Sequence, residues 1–287
     1  MKPVKYIAIT PARDEEAFLP DMIASMVAQA LVPTRWIIID DGSEDRTGEI
    51  IDKAAQQYSW IDAKHLPRGR KREPGGESVI MRFLPKSLWQ DVDYIVRFDS
   101  DLLFEGDYIE RLLAECERDP KLGIVSGCLI EPVGGEWQLN QIPSFHTRGP
   151  SKIYSRACFE AIAPLDSGLG WDTIDEVKAM MHGFRTRNFR NITAYHRRTT
   201  GSAQGILRGR YFQGTTAYYV GYSPLFALAR AARMMFTPPF VKGAAAFLGG
   251  FYSGYLYRQP QVDDPQLIKF IRDQQIRRLT FRDSVWQ

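Results

Sequence analysis

Hydrophobic and polar positions along the chain fall into short continuous apolar runs separated by stretches with helical spacing. The run YIAIT (6–10) reads as a strand that stops at Pro11, whose ring nitrogen has no hydrogen to give a neighbouring strand. Leu19, Ile23, Met26, Val27 and Ala30 then recur at helical intervals and share one face. WIII (36–39), closed by Asp40, Asp41 and Gly42, has the continuous apolar character of a strand covered on both faces. A helix over 45–58, a short strand over 63–66, a helix over 77–88 and a strand over 94–98 continue the series. This β, α, β, α, β, α, β order predicts an α/β fold with a mostly parallel sheet flanked by helices.

The second half is less regular. A helix is expected over 106–118 and a strand over 123–130, but from 131 to 165 the periodicity is weak and Gly134, Gly135, Gly149 and Pro150 mark loops. Residues 168–183 read as loop, cap and helix, with Ile174, Val177 and Met181 on one face. A helical C-terminal extension ends over 264–279. The glycine-rich TTGSAQGILRGRYFQG (199–214) reads as a mobile lid or an exposed loop. FVKGAAAFLGGFYSGYLY (240–257) is interrupted by Lys242 and by glycines, which makes it a poor spanning segment and a better buried or interfacial helix. Flanked by Arg230, Arg233 and Arg258, it leaves two alternatives: peripheral contact with the inner face of the plasma membrane, or packing on the α/β domain.

Composition narrows the class without naming a partner. The chain is 44% hydrophobic and 25% charged over 287 residues, which excludes a disordered or fibrous protein. Its net charge of +3 gives no reason to expect a nucleic-acid partner. Cys116, Cys128 and Cys158 are too few and too scattered for a disulfide framework, and the N-terminal run has no long apolar segment. A cytoplasmic protein is expected.

Three predicted strand ends carry acids: TPARDEE (10–16), DDGS (40–43) and Asp99-Ser100-Asp101. In a parallel sheet these loops share one edge, where like charges repel unless a cation or a donor-rich ligand joins them. Asp99 and Asp101 suit magnesium or manganese, which take oxygen ligands and often share them with a diphosphate. The same spacing also suits a strand terminator with Asx-turn bonding, or a phosphatase whose first Asp attacks phosphorus. An EF-hand is excluded, because Leu103 stands where an oxygen ligand is required.

Taken together, "ITPARDEE", "IIIDDGSEDRTGEII", "YIVRFDSDLLF" and "GWDTIDEVKAMMHGF" make residues 6–189 resemble a family 2 glycosyltransferase of the GT-A fold. WDTIDE with "GYSPLFALAR" and "PPFVKG" further resembles a bacterial subgroup. The resemblance implies a GT-A catalytic domain over 1–198, with a nucleotide-binding half (1–104) and an acceptor half (105–198), followed by a loop and helical extension over 199–287. It also implies a UDP-, dTDP- or GDP-sugar donor, Mn2+ or Mg2+, and a glycan or lipid-linked acceptor in cell-envelope or exopolysaccharide synthesis. By motif position, Thr10, Pro11, Arg13 and Glu15 border base and ribose, and Asp41 accepts from a pyrimidine N3. Asp99 lies near the ribose or donor sugar, and Asp101 holds the metal. The family's usual Asn is Asp14 here and its usual aromatic is Ala12.

An inverting transfer needs a base for the acceptor hydroxyl, and Asp172 is the candidate, although Trp171 replaces the Glu that usually precedes it. Asp175 and Glu176 are next in line, and Asp172 with Asp175 also reads as a helix cap. His196 is a candidate metal ligand, with Arg197 and Arg198 beside it for phosphate. Arg72, in the basic loop PRGRKREPGG, is a candidate diphosphate contact. A binding module that keeps the donor fold without turnover is a further alternative.

Overall fold

The computed structural model describes residues 4–69, 80, 82–140, 142–166, 168–198 and 205–286. Its first half follows the expected alternation: β1 (Tyr6–Ala12), α1 (Leu19–Val27), β2 (Arg35–Asp40), α2 (Thr47–Gln57), β3 (Ile61–His65), a short α3 (Lys86–Trp89) and β4 (Tyr94–Phe98). β1 lies between β2 and β4, and β3 follows on β2, all in parallel. Successive strand residues serve opposite faces. Tyr6, Ala8, Trp36, Ile38 and Val96 pack with α1 and α2, whereas Ile7, Ile9, Ile37, Ile39 and Ile95 build the core of the other face.

Two local expectations change. β1 runs through Pro11 to Ala12, because its pairing with β4 ends at Ile9–Arg97 and Pro11 is opposite a strand only on the β2 side. Part of the helix expected over 77–88 lies outside the described residues, and Pro85 starts α3 as a separate element.

The second half is β5 (Leu102–Phe104), α4 (Tyr108–Arg118), β6 (Leu122–Val133), β7 (Glu136–Leu139), β8 (Ser151–Ser155), α5 (Arg156–Ile162), α6 (Trp171–Met181) and β9 (Arg185–His196). Among the described residues the strand order is β3-β2-β1-β4-β8-β6-β9-β5, with β7 on β6. β8 enters antiparallel between β4 and β6, so the parallel first half continues into a mixed sheet. The three cysteines are buried and free.

Among the described residues four helices follow: α7 (Ile206–Tyr219), α8 (Pro224–Met234), α9 (Phe240–Leu256) and α10 (Pro265–Leu279). Residues 206–214 are therefore helix rather than loop, and the rest of the glycine-rich stretch up to 204 lies outside the described residues. The glycines here are notches: a Cβ on Gly214 would come 1.9 Å from the Phe247 carbonyl oxygen, and one on Gly250 1.9 Å from that of Tyr211. Only residues without a side chain let these two backbones meet. The extension also shares a core with α6, where Ile174, Val177 and Met180 pack with Val220, Leu267, Ile271 and Trp286. No helix of the described residues is long and apolar enough to cross a membrane.

Candidate active site

Because β1, β2 and β4 are parallel neighbours, their carboxyl ends bring the three acidic loops to one edge. The first two loops are joined by backbone donors. Asp14 N–H donates to Ser43 Oγ (3.0 Å), Glu44 N–H to Asp14 Oδ1 (2.8 Å), Glu15 N–H to Thr47 Oγ1 (2.7 Å) and Glu16 N–H to Asp45 Oδ2 (3.0 Å). Asp14 adopts φ 54°, a left-handed conformation that Asp and Asn tolerate better than most residues. Asp40 closes its turn by accepting from Ser43 N–H at 2.8 Å, and the buried Asp41 donates its own N–H to Ala12 O at 2.8 Å.

The sequence-expected residues of these loops differ in their surroundings. Thr10 is fully buried and its hydroxyl accepts from Trp36 Nε1 at 3.0 Å, so it serves the packing of β1 on β2. Pro11 and Arg13 are half-buried at the loop, and Arg13 Nε lies 3.9 Å from Asp14 Oδ2. Arg72 lies outside the described residues.

Strand register assembles the centre. β5 and β9 pair with Leu102 opposite His196, which sets the imidazole beside Asp101, and Arg197 N–H donates to Asp101 O at 3.0 Å. Asp99, Asp101 and His196 offer ligand atoms that all lie within 4.8 Å of one another. His196 Nε2 is 3.3 Å from Asp101 Oδ2, and its Nδ1 is 3.0 Å from Glu131 Oε1. Arg198 bridges two acids, with Nε donating to Asp101 Oδ2 at 2.7 Å and Nη2 to Glu15 Oε1 at 2.5 Å.

The electrostatics favour positive charge at this place. Burial alone raises the Asp101 carboxyl, but His196 and Arg198 outweigh it and hold the group below the usual carboxylate range. Burial opposes protonation of His196, yet hydrogen bonds to Asp101 and Glu131 push it up to about 9. Burial raises Glu15 despite Arg198, and Glu15 Oε2 is buried with no hydrogen-bond partner among the described residues. Glu131, absent from the sequence expectations, also accepts from Asn140 Nδ2 at 2.7 Å and Arg148 Nη2 at 3.2 Å.

A second group reaches Asp172. The buried Arg97 guanidinium pairs with Asp99 at 2.9 Å, donates to the Gly149 carbonyl and lies 4.5 Å from the Trp171 ring centroid. Lys152 approaches the same ring and donates to the Asp172 backbone oxygen and to Asp175 Oδ1, each at 2.6 Å. Burial works against the Lys152 charge, but Asp175, Glu176 and Asp172 outweigh it and raise the ammonium. Asp175 also accepts from Tyr154 OH at 2.5 Å, and Glu176 from Thr147 N–H at 2.5 Å. These two acids are fully buried in structural bonds, whereas Asp172 is only half-buried. The capping reading of Asp172 does not hold: the cap position is Gly170, at φ 73° and with no side-chain bond, and Asp172 stands inside the first turn.

Residues 7–165 match the family description "Glycosyl transferase family 2". The chain is 25% identical over 180 residues to an uncharacterized glycosyltransferase of Mycoplasma pneumoniae, covering 57% of each protein. It is 26% identical over 114 residues to a poly-beta-1,6-N-acetyl-D-glucosamine synthase of Staphylococcus aureus, covering 40% of this chain and 26% of that one. The matches thus span little more than half of the first relative and about a quarter of the second. Among solved structures, the mannosyltransferase PcManGT from Pyrobaculum calidifontis, in complex with GDP-Man and Mn2+, superposes at TM-score 0.56 with 14% identity, covering 98% of this chain and 76% of that one. S. aureus TarS 1–349 in complex with UDP-GlcNAc gives 0.56 with 15% identity, covering 96% and 81%. These likenesses establish a GT-A fold. The acidic loops of β1, β2 and β4 all lie within the matched segment, and the chain belongs to glycosyl transferase family 2.

Proposed function

We propose that the chain is a metal-dependent, inverting glycosyltransferase that moves a sugar from a nucleotide-diphosphate donor to a glycan or lipid-linked acceptor. The observation that carries this reading is the meeting of Asp99, Asp101 and His196 within 4.8 Å at the end of β4. Two carboxylates and an imidazole fit a divalent cation, Glu15 keeps its Oε2 without a partner among the described residues while its Oε1 accepts from the Arg198 that also bonds Asp101, and Glu131 orients the imidazole as second carboxylates do at metal-bound histidines. Asp101 and His196 would hold the ion. The nitrogen ligand leans toward Mn2+ over Mg2+, which prefers oxygen alone.

When bound, the cation would offset the negative charge that builds on the departing diphosphate. The chain's own groups do the rest. Asp41 accepts from the base, and Pro11 and Arg13 border base and ribose. Asp99, held by Arg97, faces the ribose or donor sugar. Arg198 brings a guanidinium suited to diphosphate oxygens. Asp172 takes the proton of the acceptor hydroxyl as that oxygen bonds to the anomeric carbon and the bond to diphosphate breaks, which inverts the centre. The staphylococcal polysaccharide synthase relative supports a role in bacterial cell-envelope or exopolysaccharide synthesis. The structures with GDP-Man and UDP-GlcNAc support a donor of the GDP or UDP type, and dTDP, a pyrimidine nucleotide like UDP, is the third class to test.

A thermal-shift series of UDP-, dTDP- and GDP-sugars with manganese, repeated with a chelator, tests the reading. One donor class should raise the melting temperature only when the metal is present, because a ligand that binds the native state stabilises it by mass action. No shift with any donor would sink the proposal.

A further inference from the structure

From 205 to 262 the chain has no aspartate or glutamate, and it carries Arg208, Arg210, Arg230, Arg233, Lys242 and Arg258. The whole chain has 34 acids against 37 Lys and Arg, so this exclusion is local. It coincides with α7, α8 and α9, of which α7 and α9 run side by side in the same sense. A Cβ on Gly243 would lie 3.8 Å from Arg210, one on Gly214 meets Phe247 and one on Gly254 meets Tyr218. The turn from α8 to α9 (235–239) therefore sits at the end where α7 begins. At that end large apolar side chains face outward. Phe236 is 82% exposed, Ile206 70% and Val241 64%, and Leu207, Met235 and Phe240 are exposed beside them. Leu256 and Tyr257 are about as exposed at the far end of α9, but here the apolar group lies among Arg208, Arg210, Arg233 and Lys242, and that combination marks an interaction site.

We propose that this end of the helical extension docks on the surface of an anionic bilayer, with its apolar side chains in the acyl boundary and Arg208, Arg210, Arg233 and Lys242 among the headgroups. The charge argues for this occupant. A second copy seated symmetrically would set like charges against each other, while anionic headgroups complement them and the acyl boundary takes the aromatic and branched side chains. No helix of the described residues is long and apolar enough to cross, so the contact is peripheral. Gly205 follows Arg198 by seven residues, at most about 25 Å of chain, so a docked protein holds the Asp101 group close to the membrane. The docking itself does not depend on sugar transfer.

The test is co-sedimentation of the full chain with vesicles of phosphatidylcholine alone and of phosphatidylcholine with phosphatidylglycerol, over a range of salt. The protein should sediment with the anionic vesicles, little with the neutral ones, and less as salt rises. Arg208→Gln, Arg233→Gln and Lys242→Gln together should weaken binding about fivefold per charge removed, the equivalent of about 1 kcal/mol each. Phe236→Ser with Val241→Ser should weaken it about tenfold or more. These sites are exposed, so unchanged thermal melts are expected for all variants. Failure to sediment with anionic vesicles, or equal binding by wild type and variants, would overturn the proposal. So would a concentration-dependent dimer in analytical ultracentrifugation that Phe236→Ser abolishes, since that assigns the end to self-association. The donor thermal-shift series contains no vesicles, so either claim can fail alone.

Discussion

Lys152 places an ammonium inside the protein, and the neighbourhood of Asp172 depends on it. Its side chain is fully buried against Asp175 at 2.6 Å and Glu176 at 3.7 Å, and it holds the first turn of α6 through the Asp172 carbonyl. Lys152→Met should cost about 3–5 kcal/mol, because removing one partner of a buried pair leaves the other charge uncompensated. Urea unfolding checks this, and a loss below about 1 kcal/mol would show that the acids are satisfied without the lysine. Residues of this kind were the hardest to read from sequence. Asp99 and Asp101 announce themselves by adjacency at the end of a strand. Arg97, Glu131 and Lys152 are single charges inside the largely buried strand segments YIVRF, LIEPV and SKIYS. The signal was present, since a charge within a buried strand must find a partner, but the partners lie far along the chain. In sequence Trp171 stands out only as a replacement for Glu, and in the structure its ring lies against both Arg97 and Lys152.

At the scale of elements, local pattern was enough where neighbours in sequence are neighbours in space. β1 through β4 and α6 lie close to their expected places for that reason. β8 and α5 leave little local signal: SKIYS is short, contains a lysine, and owes its place to antiparallel pairing with β4 more than fifty residues earlier. The glycines of 199–214 suggest a lid or an exposed loop, but 206–214 form the first part of α7, where Gly214 is a contact notch. Gly214→Val should therefore force α7 from α9 and lower stability by about 1–3 kcal/mol, as overpacking does, with earlier proteolysis within the extension. An unchanged melt and an unchanged digestion pattern would contradict this contact.

The end of β3 offers a pH test. Burial opposes the charge on His65, but hydrogen bonds to Asp52 and Asp40 outweigh it and raise its pKa above the ordinary 6.5. The native state thus holds this proton more tightly than the unfolded chain. The stabilisation is full below about pH 6.5 and is lost as pH rises through the native value. Because His65 is partly exposed, the effect is small. The difference in melting temperature between wild type and His65→Gln should be present in acid and vanish in alkali, and a difference that grew with pH would reverse the assignment.

For the whole molecule, the expected halves at 104 and 105 interlock rather than abut. β4 and β5, which flank Asp99 and Asp101, pair with β8 and β9 of the second half, and β9 supplies His196. The extension beyond 198 shares a core with α6, the helix of Asp172. We propose that donor, metal and acceptor functions are thereby tied into one folding unit. The most direct test is calorimetric titration of the donor in manganese, paired with a transfer assay, on wild type, Asp101→Ala and Asp172→Asn. Asp101→Ala should lose metal-dependent donor binding. Asp172→Asn should keep donor affinity while transfer falls by about 10²–10⁴-fold, the range of a lost general base. Wild-type, metal-dependent donor binding by Asp101→Ala, or wild-type transfer by Asp172→Asn, would contradict the account.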